Sequence, residues 1–194
     1  MSPFEIVKKI LNRRARKKSR SIFSLLICVG IFSPLPLHAG AGNVEIAGDI
    51  LQVAIPATAY GTTFYLDDQE GRIQFYKSFF TNLAVTYGLK YTINERRPNG
   101  GSLSFPSGHT SAAFQGAAFI QDRYGWEYSL PAYTAAAFVG YSRIESNKHY
   151  FHDVFAGAII GTISSLYFTY HYKKFVFFPI IDKDYYGLAI KTNW

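Results

Sequence analysis

Apolar and polar positions along the chain sort into six helix-length stretches separated by short polar joints. The first, SIFSLLICVGIFSPLPL (residues 21–37), is largely apolar and ends on Pro34 and Pro36, which cannot continue a helix. Five more follow, at about 44–66, 73–91, 108–123, 129–143 and 152–172, with Pro56 inside the second stretch and Pro131 near the start of the fifth. DDQEGR (67–72) reads as a turn, and a glycine-bearing loop at 98–108 opens the fourth stretch. Gly116, Ala117, Ala118, Gly157, Ala158 and Gly161 are small enough for helices to approach closely. The pattern predicts an all-α fold: a compact helical bundle of five to six helices, membrane-embedded or membrane-associated. The period changes at the end. In DYYGLAIKTNW, Tyr186, Leu188, Ile190 and Trp194 alternate with other residues in strand fashion. One strand cannot close a barrel, so a short extended C-terminal tail packing on the bundle is expected.

Charge divides the chain unevenly. Of 20 Lys and Arg, eight lie in residues 1–20 beside a single acid, Glu5, and the remaining 12 are matched by 12 Asp and Glu. A basic tail on a neutral body argues against a nucleic-acid groove, which needs cations spread over a folded face. It suits a cytoplasmic leader obeying the positive-inside rule. The apolar run that follows, with LHAG at 37–40, reads as a secretory signal cleaved after Ala39 or as an uncleaved first membrane helix. Either carries the following chain across the cytoplasmic membrane. The single Cys28 excludes an internal disulfide and a thiolate metal cluster. Asp49, Lys77 and Gln115 interrupt the apolar stretches, and both DDQEGR and QDRYGWE are net negative. A soluble or membrane-dipping bundle therefore stays open beside a spanning one. The expected division is a leader or first helix at 1–39, a helical bundle at 40–175, and a tail at 176–194.

Three polar clusters stand at predicted helix ends. Lys90 precedes Arg97 and Pro98 by a six-residue gap; Pro106, Ser107, Gly108 and His109 form a turn; Arg143 is followed by His149 and then Asp153. With helices alternating in direction, all three can share one end of the bundle. Lys90, Arg97 and Arg143 are three cations, two of them guanidiniums fitted to phosphate oxygens. The Ser107–Gly108 turn offers backbone N–H groups and the positive end of a helix dipole, and Gly108 lets the backbone approach closely. Asp153, four residues beyond His149, can hold one ring nitrogen and aim the other outward. A histidine so held is a competent nucleophile or base, and His109 is a second histidine able to protonate a leaving oxygen. No paired-carboxylate or His/Cys set stands near this cradle in the sequence, so neither a metal nor a cofactor is expected.

The clusters Lys-x6-Arg-Pro, Pro-Ser-Gly-His and Ser-Arg-x5-His-x3-Asp resemble the signature of the type 2 phosphatidic acid phosphatase superfamily. That superfamily includes bacterial class A acid phosphatases and vanadium-dependent haloperoxidases. No motif position fails between residues 90 and 153, and the helical pattern extends the resemblance to about 44–172. The resemblance implies a metal-free phosphatase working through a phosphohistidine. On matching positions it implies that His149 attacks phosphorus, Asp153 orients it and His109 protonates the leaving group. Lys90, Arg97, Ser107, Gly108 and Arg143 would hold the phosphoryl oxygens. Arg96 and His152 have no motif role. Aromatic richness and apolar helices favour a lipid phosphate substrate at a membrane bilayer, with the site on the periplasmic face. Alternatives are a soluble periplasmic acid phosphatase, a haloperoxidase, and a non-catalytic envelope lipid-binding protein.

Overall fold

We describe residues 41–172 of a computed structural model, with the backbone of residues 175–182 and 185–192. The expectations for the leader at 1–39 fall outside the described residues. Five helices follow one another with short joints: α1 (Ala41–Tyr65), α2 (Gln69–Ile93), α3 (Gly108–Tyr124), α4 (Trp126–Glu145) and α5 (Phe151–Phe168). The five predicted stretches from residue 44 onward become helices, with ends displaced by a few residues for identifiable reasons.

Helix α2 begins inside the predicted turn because Asp68 caps it, its Oδ1 accepting from Gly71 N at 2.9 Å. Helix α5 stops at Phe168 rather than 172. Beyond it, Tyr170 N donates to Gln74 Oε1 at 3.0 Å and Tyr170 O accepts from Arg123 Nη1 at 2.8 Å, so the backbone there bonds to other helices. Ser107 caps α3, its side chain accepting from Thr110 N.

Helix α3 is the hub, packing against α1, α2, α4 and α5. Its closest neighbour is α5, where side chains are stripped to hydrogen. A Cβ on Gly157 would lie 2.5 Å from Ser107 O, and one on Gly161 would collide with Ser111 O. Two apolar clusters fill the remaining interior, one around Ile55, Ala113, Ala117, Ala136 and Val139, the other around Ala59, Phe75, Phe119 and Ile120. Between α2 and α3 the interior is polar. Gln115 Nε2 donates to Ser78 Oγ at 2.8 Å, Ser111 Oγ donates to Asn82 Oδ1 at 2.6 Å, and Thr86 and Ser111 share a hydroxyl contact of 2.9 Å. Large apolar side chains meanwhile face outward, among them Val53, Phe64, Phe80, Phe155 and Ile163. Among the described residues one helix, α5, is long and apolar enough to cross a membrane.

The C-terminal segment is a separate unit. The single extended tail expected there is instead an antiparallel pair, β1 (Phe175–Asp182) and β2 (Tyr185–Thr192), with Phe175 opposite Thr192 and Asp182 opposite Tyr185. The run FVFFPIID is continuously apolar, so it lacks the alternation that marked its partner.

Candidate active site

The geometry begins at Asp153, three positions into α5. There its carboxylate reaches back to accept from Tyr150 N at 2.9 Å, one half of a capping box. The same oxygen, Oδ2, accepts from Ser104 Oγ at 2.5 Å and faces His149 Nδ1 at 3.3 Å. Asp153 is fully buried and His149 is 3 % exposed. Burial, then the charges of Lys90 and Arg97, hold the His149 imidazole down at about 4 against the opposing pull of Asp153. The ring is therefore neutral at physiological pH. With Nδ1 turned to Asp153, its Nε2 is the nitrogen left to react. Ser104, in the glycine loop, was not singled out from the sequence: serines are common in loops, and only the fold puts this one on the carboxylate.

The loop itself is pinned from both sides. Lys90, in the last turn of α2, donates to Leu103 O at 2.7 Å and Ser104 O at 3.1 Å. Burial chiefly, with help from Arg97, lowers its ammonium to about 8. Arg97 Nε donates to Ser102 O at 3.0 Å, and Asn99 N donates to Asn147 O at 3.1 Å across to the α4–α5 joint. A Cβ on Gly108 would come within 3.7 Å of Lys90 Cε, so the start of α3 sits directly beside the ammonium. One expectation needs refinement here. The Ser107 N–H is not available to an anion, because it donates to Asp153 O at 2.9 Å. Gly108 and His109, the first two helical positions, have no intrahelical acceptor for their N–H groups and carry the anion-binding character of this helix start.

His109 and Arg143 meet through a residue the motifs did not contain. Asp49, on α1, lies 3.1 Å from His109 Nε2 and accepts from Arg143 Nη1 at 2.7 Å through the same Oδ1. Arg143 Nη2 donates to Glu45 O at 2.7 Å and its Nε to Ser142 Oγ at 3.1 Å. The approach of α1 depends on Gly48, where a Cβ would collide with Ser142 Oγ and Arg143 Nη2. Burial and the Arg143 charge depress the His109 imidazole, and Asp49 opposes them. In the sequence Asp49 showed only as a charge interrupting an apolar helix. That anomaly was the signal that could have found it, since a lone carboxylate on such a face needs a partner.

Lys90, Arg97, Ser107, Gly108, His109, Arg143, His149 and Asp153 thus come together at one end of the helical unit. Arg96 is exposed. His152 proves better placed than its lack of a motif role suggested: its Nε2 stands 3.0 Å from Glu95 Oε1 and 3.3 Å from Asp153 Oδ1. A His/carboxylate set does therefore lie beside the cradle. Glu95 and His152 are 57 residues apart, so spacing could not reveal it.

The model of the PAP2 superfamily matches residues 44–177. The chain belongs to that superfamily. Curated relatives include a lipid A 1-phosphatase of Porphyromonas gingivalis, 43 % identical over 79 residues that cover 38 % of this chain and 18 % of that protein. Lipid phosphate phosphatase 2 of Arabidopsis thaliana is 38 % identical over 55 % of this chain and 39 % of its own length. These two matches therefore span well under half of each relative. A lipid A 1-phosphatase of Helicobacter pylori aligns along 87 % of this chain and 97 % of its own at 25 % identity. Among solved structures, the PAP2-type phosphatidylglycerolphosphate phosphatase of Bacillus subtilis shares the fold with a TM-score of 0.51 at 22 % identity, covering 85 % of this chain and 92 % of that one. Aquifex aeolicus LpxE matches with the same score at 23 % identity, over 61 % and 83 %.

Proposed function

We propose that this protein is a metal-independent phosphatase that hydrolyses a lipid phosphate or diphosphate through a phosphohistidine. The observation that carries the reading is the buried His149–Asp153 pair, its ring neutral and its Nε2 unengaged, set among Lys90, Arg97 and Arg143 at a helix start. A pure binding site would gain from the cations but has no use for a buried, oriented imidazole.

In the first step His149 Nε2 attacks phosphorus, forming the N–P bond as the bond to the leaving oxygen breaks. His149 Nδ1–H donates to Asp153 throughout, which stabilises the positive charge growing on the ring. Protonated His109 gives its proton to the leaving oxygen, and Asp49 on Nε2 supports that imidazolium form. In the second step water attacks phosphorus, His109 takes its proton back, and the N–P bond breaks to release inorganic phosphate. Lys90, Arg97, Arg143 and the Gly108 and His109 N–H groups neutralise the equatorial oxygens, the largest contribution in phosphoryl transfer.

Two observations support a lipid substrate over a small soluble ester. The relatives named above are lipid A 1-phosphatases and a lipid phosphate phosphatase. The interior between α2 and α3 is polar while many large apolar side chains face outward, and the seam between α2 and α5 is an apolar groove lined by Val85, Ile159, Ile163 and Tyr167. That distribution suits a bilayer. We place the protein in the bacterial cytoplasmic membrane with the site toward the periplasm. The deciding experiment is phosphate release by purified protein across phosphatidate, phosphatidylglycerol phosphate, undecaprenyl diphosphate, lipid A and a soluble aryl phosphate. A preference for one lipid is expected. Turnover of the aryl phosphate alone would replace this reading with a broad-specificity acid phosphatase.

A further inference from the structure

Three side chains converge on one point beside the phosphate cradle: Glu95 just after α2, and His152 with Asp153, the residue that orients His149, in the first turn of α5. Glu95 Oε1, His152 Nε2 and Asp153 Oδ1 all lie within 4.8 Å of one another. His152 Nε2 stands 3.0 Å from Glu95 Oε1 and 3.3 Å from Asp153 Oδ1. Donors at about 2.0–2.1 Å from a tetrahedral zinc ion stand roughly 3.3 Å apart, so the two edges that meet at His152 already fit one.

The oxygen on the Asp153 side points independently to a ligand. Asp153 is fully buried, and its Oδ2 has Ser104 Oγ and Tyr150 N as donors, but Oδ1 has no hydrogen-bond partner. A buried carboxylate oxygen without a donor is costly and calls for an explanation. The nearby His152 Nε2 carries at most one hydrogen, and Glu95 Oε1 is the closer acceptor. A cation on the Nε2 lone pair would serve both carboxylates at once. The ring is already fixed for it, stacked between Tyr150, with centroids 5.4 Å apart, and Phe105, at 6.2 Å. Glu95 is anchored through its own carbonyl, which accepts from Ser104 N at 2.8 Å. The His152 side chain is 56 % exposed and that of Glu95 32 %, which leaves an entry path and room for water as a fourth ligand.

We propose that Glu95, His152 and Asp153 bind a divalent cation of the zinc class, and that the bound ion restrains the active site by drawing on Asp153. One imidazole and two carboxylates suit zinc better than the all-oxygen shells of magnesium or calcium. Coordination through Oδ1 makes Oδ2 a poorer acceptor, so the hold on His149 Nδ1 loosens. The restraint rests on the phosphatase reading above; the binding does not.

The test uses the purified full-length chain, stripped with chelator and then freed of it. Calorimetric titration with zinc chloride should show one equivalent bound, and cobalt(II) in its place should give the intense visible bands of a tetrahedral site. Glu95→Gln and His152→Asn should each weaken zinc binding about tenfold or more. Phosphate release should fall on zinc addition in the unsubstituted protein, and the ratio with and without zinc should move toward one in both variants. Absence of stoichiometric zinc binding, or binding undiminished in both variants, overturns the site. Binding as expected with no loss of turnover overturns the restraint. A chain that releases phosphate from no substrate would defeat the phosphatase reading, while the calorimetric and cobalt measurements would still decide the site.

Discussion

The helical unit carries a buried ionic cluster at each end, and the two are built on opposite terms. Helix α2 is 25 residues long, about 37 Å, and separates them. At the end remote from His149, Arg123 is 1 % exposed and donates to both oxygens of Asp68, at 2.8 and 2.6 Å, with Tyr170 O, Gln74 and Glu70 around it. Tyr124 Oη adds a further donor to Asp68 at 3.0 Å. Cation and carboxylates there answer one another. At the other end, Lys90, Arg97 and Arg143 gather around Asp49, Glu95 and Asp153, with two imidazoles whose protonation burial and neighbouring cations oppose and Asp49 and Asp153 favour. Lys90 and Arg97 there donate to backbone carbonyls rather than to a carboxylate. A cation matched by its own carboxylate holds helices together, whereas cations held by carbonyls keep their charge for an anion. Distances alone would not separate the two; the partners of the cations do.

The sharpest way to break this contrast is to remove one residue from each end. His149→Ala should abolish phosphate release, a loss of at least about a thousandfold, and labelled phosphate trapped on the unsubstituted protein should be absent from the variant. Its thermal stability should hold, since no ion pair on which helix packing depends is lost. Arg123→Met should do the reverse, costing about 3–5 kcal/mol by stranding buried Asp68, while activity per folded molecule stays near normal. If His149→Ala retained full turnover, the mechanism would fall. If Arg123→Met lost turnover without losing stability, the contrast would.

Asp153→Asn should reduce turnover by about 10²–10⁴. The fault would be one of orientation: Ser104 Oγ and Tyr150 N both donate to Oδ2, and an amide can accept there only by turning its own N–H₂ toward the opposite side.

Asp49→Asn tests the residue that joins His109 to Arg143, and a loss of about tenfold or more is expected. It should also move the pH profile. Activity that requires protonated His109 declines as pH rises through its pKa, and Asp49 is what raises that pKa against burial, Arg143 and Arg97. Removing the carboxylate should therefore shift the falling limb to lower pH. The rising limb, set by His149 at about 4, should stay in place. A profile unchanged by Asp49→Asn would show that its contact with His109 has no part in catalysis.

Two smaller effects complete the comparison. Vanadate, a mimic of the trigonal-bipyramidal phosphorus, should inhibit, while EDTA should leave turnover unchanged or raise it; loss on chelation with recovery on magnesium would make the three cations insufficient. For sidedness, Ser102→Cys in a Cys28→Ser background should react with an impermeant thiol reagent in intact spheroplasts, because Ser102 is exposed on the glycine loop. Labelling only after lysis would put the site in the cytoplasm.

The amino-acid sequence by itself determined five helical stretches and the three polar clusters at their ends. Both are local properties: apolar periodicity and capping act within a few residues, and Lys90 to Arg97 or His149 to Asp153 are single-turn or single-loop relations. Even the small residues of the α3–α5 crossing were legible as such, although Gly157 and Gly161 gave no sign of which backbone they would touch. The tertiary structure decided the partners. Asp49 reaches Arg143 across 94 residues, Ser104 reaches Asp153 across 49, and Glu95 reaches His152 across 57. None of these pairs has a spacing that marks it, because their meeting depends on how helices cross and on which end of each lies at the same level. The same packing gave the Ser107 N–H to Asp153 O instead of to an anion. It also turned Ser78, Asn82 and Gln115 inward and Val53, Phe80 and Phe155 outward. An amphipathic period shows that a helix has two faces, but only its neighbours decide which of them is the inside.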